Sequence, residues 1–533
     1  MASIWIRAGQ SLINTAWSLR DNPRTSVGIL PLSNGRSERG PDLIDWKKRR
    51  KGARGFNAAK VNRLTQGWVA NNRHIDADLR EGLVRVRGRM RDLSVNNDYF
   101  RGYLRLVKNN VVGPAGFSYA ANPREFDGKL DEIDKRRLEQ AFAEWSRLGN
   151  CTVDGCLSFR DCQDLFIETL ARDGETLIRK VPGFDNKYRF ALQFMDADYL
   201  DENHFETLPG DRKIRFGIEF DRWKRPVAYH ILTRHPGDAT FSSTARTSRE
   251  RVPASEIIHA FICERPGQSR GIPWGISAAN RLAMLAGYEE AELVAARTNA
   301  SKMGFYTTNG DEFEGDDDGE DEEIGDAITE AEPGTFEHLP PGWTMEMFDP
   351  KHPTSQVPEF MKSQLHGFSA GVGASYHRLA NDLSGVNYSS GRIGELADRD
   401  HWRWLQNFMS AHFLDDVHKS WLEMGIMAAA GPLAGMPITK FDKFNSPTWE
   451  PRGWQWVDPQ KEASANIDAV KAGMKSLTQI AREQGRSVED IFAERQRETE
   501  LAEKFGVTID LGGTALANVP PETEKENDDP END

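Results

Sequence analysis

Cys162-Gln-Asp-Leu-Phe-Ile-Glu-Thr-Leu-Ala-Arg-Asp-Gly-Glu-Thr-Leu-Ile-Arg-Lys-Val181 changes character at its middle. Cys162–Arg172 reads as a helix that ends at Gly174, whereas Thr176–Val181 has the two-residue period and residue types of a strand. The change persists outward on both sides. Upstream, Asn57–Asn110 is helical in pattern, with Leu83, Val84, Val86, Met90, Leu93 and Val95, then Tyr99, Tyr103, Leu104 and Val107, and Gly113-Pro114 stops it. Leu130–Leu148 is a second helical block, with Leu138, Phe142 and Trp145 on one face. Downstream, Tyr188–Met195, Arg215–Phe220, Val227–Leu232 and Ile257–Cys263 read as strands separated by Gly, Pro and Asp. Phe216–Phe220 and Val227–Ile231, joined by Asp221–Pro226, are predicted to form a hairpin. Helices precede most strands, which predicts an α+β domain.

Beyond Gly271-Ile-Pro273 the pattern is helical to about Asn299, with proline suited to the first turn. Asp311–Asp326 then holds eleven acids in sixteen residues, too few apolar groups to offset ordering entropy by itself. Thr354–Leu379 is helical, with Phe360, Met361, Leu365 and Phe368. Asn381–Gly391 is a polar Gly/Ser-rich loop, and Arg392–Ala428 a long amphipathic helix. Gly431–Pro451 is irregular, Asp458–Gly506 is again helical, and the composition after Asn518 predicts disorder. No internal repeat is visible.

The chain has 533 residues and a formal net charge of −14. That number hides its distribution. Residues 303–350 carry 16 Asp/Glu and no Lys/Arg, and 520–533 carry seven acids and one Lys, so the rest is net +8. Residues 36–108 alone carry 19 Lys/Arg against 8 Asp/Glu, with Lys47, Lys48, Arg49, Arg50 and Lys51 as the densest part. Such a cluster contacts phosphate or is a solvated arm. Gly425–Ile438, the nearest approach to a long apolar run, is broken by Pro432 and Pro437, so no membrane span is predicted. The start lacks a signal-peptide pattern, and four cysteines make no disulfide scaffold, which favours a reducing compartment.

Catalytic signatures are missing. Gly371-Val-Gly373 lacks the third glycine and preceding strand of a dinucleotide loop, and there is neither a Walker-type phosphate loop nor Gly-x-Ser-x-Gly. Cys151, Cys156 and Cys162 have no nearby histidine, and the acidic run lacks the order of a calcium loop, so no metal and no cofactor is expected. His401, His412 and His418 lie on or near one helix, and His412 and His418, six apart, fall on different faces, so exposed or core histidines are expected rather than ligands; of Trp402 and Trp404, one should pack in the core and the other face outward. The loop Asn381–Gly391 is either a connector or a functional loop held by two rigid helices.

The order of several short segments is more specific than any one of them. These are Arg91-Asp92-Leu93 with Asn96-Asn97 and Tyr99; Asn110-Val-Val-Gly113; Asp173-Gly-Glu175; and Gly217-Ile-Glu219 with Pro226 and Tyr229. Ile257-Ile-His-Ala-Phe261, Gly267-Gln-Ser-Arg-Gly271, Gly371-Val-Gly-Ala-Ser-Tyr376, Asn387-Tyr-Ser-Ser390 and Trp454-Gln-Trp-Val-Asp-Pro459 follow. Over about residues 55–505 the sequence resembles the lambda-type portal proteins of tailed bacteriophages.

The resemblance implies a non-enzymatic ring of typically twelve copies at one capsid vertex, through which double-stranded DNA is packaged and ejected. It implies partners as well: the terminase large subunit, head-completion or adaptor proteins, and the major capsid or scaffold protein. The location implied is the virion, and the host cytoplasm during assembly. By position, 1–56 would be a basic N-terminal arm, 57–272 an α+β wing, and 273–302 and 353–380 the two stem helices. Residues 303–352 would be the clip, with Asp311, Glu312, Glu314, Asp316, Asp317 and Asp318 facing terminase or adaptor. Residues 381–391 would be the tunnel loop, with Asn381, Asp382, Leu383, Ser384, Val386, Asn387 and Tyr388 toward DNA, a loop with one acid and no base. Residues 392–457 would be the wing helix and return, 458–507 a helical crown, and 508–533 a disordered acidic tail. The competing expectation is a scaffold or nucleic-acid-binding module that uses residues 36–108 without forming a ring.

Overall fold

The computed structural model describes residue 63 and residues 66–238, 248–300, 304–308, 343–347, 356–454, 459–483 and 488–506. The chain divides into Met1–Asn72 and Arg73–Asp533, and the elements below all belong to the second unit. Lys47–Lys51, Asp311–Asp318 and the tail after 506 lie outside the described residues.

Two helices open the unit, α1 (Ile75–Asn96) and α2 (Asp98–Val111). The sequence pattern suggests one helical block from 57; among the described residues helix begins at Ile75, and the block breaks at Asn97. There the backbone is extended and the side chain accepts from Phe100 N, capping the second helix. Strand β1 (Ser118–Ala121) and helix α3 (Glu132–Trp145) follow, then α4 (Phe159–Asp173), started by a Ser158–Asp161 capping box. Gly174, at φ 86°, ends α4 in the left-handed region and turns the chain into β2 (Glu175–Pro182).

The remaining strands of this region are β3 (Phe190–Met195), β4 (Glu206–Thr207), β5 (Lys213–Arg215), β6 (Ile218–Phe220), β7 (Pro226–Leu232), β8 (Arg249–Pro253) and β9 (Ile257–Phe261). They form two antiparallel sheets, of order β3-β2-β9 and β4-β5-β6-β7-β8. The predicted hairpin is β6-β7, with Ile218 opposite Tyr229. Helices packed with antiparallel sheets make this an α+β fold.

Helix α5 (Ala279–Ala300) starts six residues later than the pattern suggests. The preceding segment is drawn onto the end of α4 instead, where Trp274 N donates to Ala171 O at 3.2 Å. Strands β10 (Gly304–Thr308) and β11 (Trp343–Met347) pair as a hairpin at the two ends of the acidic segment, which the sequence pattern did not signal. Helix α6 (Val357–Val372) stops at Gly373, φ 69°, so the expected 354–379 helix is two, the second being α7 (Tyr376–Leu379). Helix α8 begins at Tyr388 rather than at Arg392 and runs to Met409. A π-helical turn at Ser410–Leu414 separates it from α9 (Asp415–Met427). Short α10 (Phe441–Phe444) precedes β12 (Pro447–Glu450), which pairs with β1. The last helical stretch is three helices, α11 (Pro459–Lys471), α12 (Leu477–Glu483) and α13 (Val488–Phe505).

The π-turn serves the core. It lets Phe413 and Leu414 both point inward, and the Phe413 ring stacks on Phe166 of α4 at 4.6 Å. Trp145, Trp402 and Trp421 are fully buried in the same cluster, whereas Trp404 is 49% exposed, the split that its two-residue spacing from Trp402 suggests. Each such aromatic contributes roughly 1.5–3 kcal/mol by burial. His418 is also buried, between Tyr119, whose hydroxyl lies 2.9 Å from Nε2, and Asn445 at Nδ1.

Candidate functional site

The connection between α7 and α8 is a braced turn. Asp382 accepts from Ser384 N at 3.0 Å and Ser384 Oγ at 2.6 Å, and Tyr376 Oη donates to its other oxygen at 2.9 Å. The Ser384 hydroxyl and amide, then Tyr376, hold the Asp382 carboxyl down to about 2, so it is ionised at neutral pH. Asn381 sits at φ 53°, in the left-handed region that asparagine tolerates. Below the turn, buried Asp398 of α8 accepts from Ser375 N and Ser375 Oγ, clamping α7 to the helix that follows the loop.

The structure thus brings Asn381, Asp382, Leu383, Ser384, Val386 and Asn387 together in one turn. Tyr388 opens α8, which also takes up residues 389–391. Leu383 is 67% exposed at the tip. The sequence shows one acid and no base in the loop, but the fold supplies a base. Lys362 of α6 lies beside it, with Nζ 3.9 Å from where a Cβ on Gly385 would stand. Only the crossing of α6 and the loop reveals this neighbour.

A second constellation gathers segments that carry the family resemblance. Glu175 is fully buried and accepts from Arg270 Nη2 at 2.6 Å, Arg87 Nη2 at 2.8 Å and Gly271 N at 3.0 Å; His259 Nε2 lies 2.9 Å away. Burial opposes ionisation of Glu175, yet Arg270, the His259 bond and Arg87 hold it well below the usual carboxylate range. Arg91 donates to Asp173 at 3.0 Å and to Asp196 and Asp198 at 2.6 Å. Arg87 and Arg91 are therefore spent inside the fold, and the basic character of 36–108 overstates what is free to meet a partner.

The glycines of these segments allow the close approach. A Cβ on Gly174 would stand 2.3 Å from the carbonyl carbon of Ile272, and one on Gly271 would stand 2.1 Å from Gly174 O. Asp173-Gly-Glu175 and Arg270-Gly271 are spaced for backbone contact. A third meeting joins Asn110–Gly113 to Trp454: Trp454 Nε1 donates to Asn110 Oδ1 at 3.4 Å, and Gln406 Nε2 donates to Val111 O at 3.1 Å and Arg452 O at 3.0 Å. These contacts join distant parts of the chain and present no nucleophile or general base to a substrate.

Among the described residues, one group offers metal-ligand geometry: Asp196, Asp198 and His235, with ligand atoms within 4.8 Å of one another. Both carboxylates already bond Arg91, whose guanidinium supplies the positive charge there. Cys151 and Cys162 are buried and Cys156 is exposed, so the three thiols do not share one face.

Comparison with known proteins agrees with the order of these segments. The family described as phage portal protein, lambda family, matches residues 61–406. The chain is similar to a probable portal protein of Halomonas phage phiHAP-1, at 35% identity over 489 residues, covering 90% of this chain and 93% of that protein. It is similar to portal protein B of Escherichia phage lambda at 22% identity, covering 86% and 91%, and to the portal protein of Escherichia phage N15 at 21%, covering 81% and 87%. Among solved structures it is similar to a chain from the neck of an empty gene transfer agent particle, with 13% identity, TM-score 0.43, and coverage of 76% and 94%. A chain from the native gene transfer agent virion gives 13% identity, TM-score 0.41, and coverage of 75% and 93%. With the family matched over 61–406 and a relative 35% identical along nine-tenths of its length, this chain belongs to the lambda family of phage portal proteins, structural proteins rather than enzymes.

Proposed function

We propose that this chain is one of about twelve copies in a closed ring at the unique capsid vertex, around a central passage for double-stranded DNA during packaging and ejection. In this reading residues 57–272 are the wing, α5 and α6 the stem, β10-β11 with the acidic segment the clip, the α7–α8 connection the tunnel loop, and α11–α13 the crown. The clip acids Asp311–Asp318 face the terminase large subunit and later the head-completion proteins, and the wing meets capsid or scaffold protein. The virion is the final location, and the host cytoplasm the place of assembly.

Family membership carries this reading, and one feature of the fold supports its detail. Helices α5 and α6 pack together, with Tyr288 and Phe360 edge to face at 5.2 Å, and a hairpin follows the end of α5. Helix α6 then leads through α7 directly into the braced loop.

Electrostatics favours a passage over a grip. Duplex DNA carries one charge per roughly 1.7 Å of axis, so every fixed cation adds affinity that must be broken during transport. A loop holding ionised Asp382 beside a single Lys362 is close to neutral and touches DNA by shape. Replacing Asn387 and Tyr388 with Gly should lower packaged DNA length or retention while rings still assemble. Unchanged packaging and retention would remove the loop assignment. Negative-stain microscopy checks the ring itself: closed rings with a central pore support it, and DNA-binding monomers or dimers favour the non-ring module.

A further inference from the structure

A cavity of about 650 Å³ opens where the Asn110–Gly113 and Trp454 segments meet. Arg378 of α7, Arg399 of α8 and Arg452 line it, with Glu395, Glu450 and Trp454. Among the described residues, three guanidinium groups therefore face two carboxylates. Arg378 Nη2 donates to Asn110 Oδ1 at 3.2 Å, while its Nη1 is buried with no hydrogen-bond partner among the described residues. Arg452 is held in place: Nη1 donates to Asn109 O near the end of α2, and its stem lies over Gly113. Gly113 is at φ +73°, and a Cβ there would come 2.6 Å from Arg452 Cδ. Arg399 Nη2 bonds Glu395 at 2.8 Å.

The site is positively charged and incompletely satisfied. Burial first, then the charges of Arg378 and Arg399, push Arg452 below its ordinary value, with Glu395 only partly opposing. A buried donor without a partner is costly, more so when charged, and an entering oxyanion would recover that cost. The planar guanidinium fork fits a carboxylate through two parallel hydrogen bonds. Duplex DNA is a broad rod and cannot insert into a cavity of this size; a peptide carrying carboxylate side chains can.

The chain carries such a peptide. Residues 520–533 hold seven Asp/Glu and one Lys. They follow the three helices that begin five residues after Trp454, on the cavity wall. From Phe505, the stretch 506–519 spans up to about 46 Å when extended, more than the roughly 27 Å length of α13. The other acidic segment is less well placed. It lies between β10 and β11, beyond the end of α5, whose 22 residues run about 33 Å from Ala279, Leu282 and Leu285 in the core.

We propose that the Arg378–Arg399–Arg452 cavity is a carboxylate-binding site that takes the chain's own acidic C-terminal segment, residues 520–533. Occupancy ties the end of the chain to the junction of α2, α7 and α8, next to the loop connection, and salt weakens it.

Hydrogen–deuterium exchange on the full-length protein tests this. Three proteins are compared: the natural chain, Arg378→Gln with Arg452→Gln, and a chain whose seven tail acids are changed to Asn or Gln. The last variant leaves every described residue untouched and so keeps the test valid if the arginine variant folds poorly. At low salt the amides of 520–533 should exchange several-fold more slowly in the natural protein than in the arginine variant. Residues 112–118 and 450–454 should lose protection in the tail variant. Both differences should collapse in about 1 M NaCl, where the screening length falls to about 3 Å, and on adding excess synthetic peptide of sequence 520–533. Equal tail exchange in the natural protein and the arginine variant would overturn the proposal. So would an arginine effect confined to 311–326, or cavity protection that follows added inorganic phosphate but not the tail acids.

Discussion

Arg270 and Glu175, 95 residues apart in the chain, are paired at the centre of the fold: Nε of Arg270 donates to both carboxylate oxygens at 2.9 Å, with both side chains fully buried. Arg87 and His259 share the same carboxylate. Removing the negative charge would leave Arg270 without its carboxylate partner in a site closed to water, and Arg87 with only Asp198 and Glu202, both bonded by its Nη1. Glu175→Gln should therefore lower the unfolding free energy by about 3–5 kcal/mol, read from urea denaturation at neutral pH. A loss under about 1 kcal/mol would show that Asp198 and Glu202 alone suffice for Arg87 and Arg270.

Next to this pair, two backbones touch. Gly271→Ala places a methyl 2.1 Å from Gly174 O, with no flexible side chain able to give way. Gly435 is a useful contrast, since its φ is +82° but nothing lies within 4 Å of its Cβ position. Gly435→Ala should cost about 1–2 kcal/mol from the left-handed backbone alone. Gly271→Ala should cost clearly more, to the point of poor soluble yield. Matching melting temperatures for the two variants would contradict the close-approach account.

His418 makes stability depend on pH. Burial pushes its pKa down to about 4, against 6.5 for the free side chain, and Asn445 opposes the shift only partly. Between those values the unfolded chain binds a proton that the folded chain refuses. This residue's contribution is thus complete above 6.5 and is lost as pH falls toward 4, about 3 kcal/mol in total. Urea denaturation at pH 7 and pH 4.5 should show a drop that is smaller in His418→Gln by most of that amount. An equal drop in both proteins would assign the pH dependence to carboxylates instead.

The loop should lose order before the fold does. Tyr376→Phe removes the hydroxyl that donates to Asp382 at 2.9 Å and leaves the ring in place. Amides 383–387 should exchange faster, the melting temperature should shift little, and DNA retention should fall in the direction expected for the Asn387/Tyr388 change. Faster exchange with normal retention would separate loop order from function.

Helix α5 exposes apolar side chains that no part of the same described chain covers. Met284 is 76% and Leu293 71% exposed. If copies pack side by side in a ring, these positions are buried between them. Met284→Glu with Leu293→Glu should leave the subunit folded, by circular dichroism, but shift sedimentation from ring to monomer. Rings of normal stability would place the subunit contact elsewhere.

Local signals were legible in proportion to how local their causes are. The switch at Gly174 was readable, because a glycine at φ 86° and the change of period both reside in a dozen residues. The hairpin β6-β7 and the division of labour between Trp402 and Trp404 were readable for the same reason. The break at Asn97 was not, since a helical pattern continues across it and only the extended backbone and the cap reveal it. The late start of α5 was hidden too, because Trp274 gives its amide to Ala171, a residue a hundred positions earlier.

The kinds of element, their order, the uneven placement of charge and, through the order of its short segments, the family are written in the chain itself. Those properties depend on neighbours along the chain, which periodicity and composition report directly. Tertiary structure alone decided what those segments are for. Asp173-Gly-Glu175 meets Arg270-Gly271, Asn110–Gly113 meets Trp454, and Lys362 comes beside Gly385, turning a loop with no base into one with a base at its side. Each meeting joins side chains brought together by burial over long sequence separations, and no local pattern encodes which distant partner will neutralise a charge or fill the space a glycine leaves.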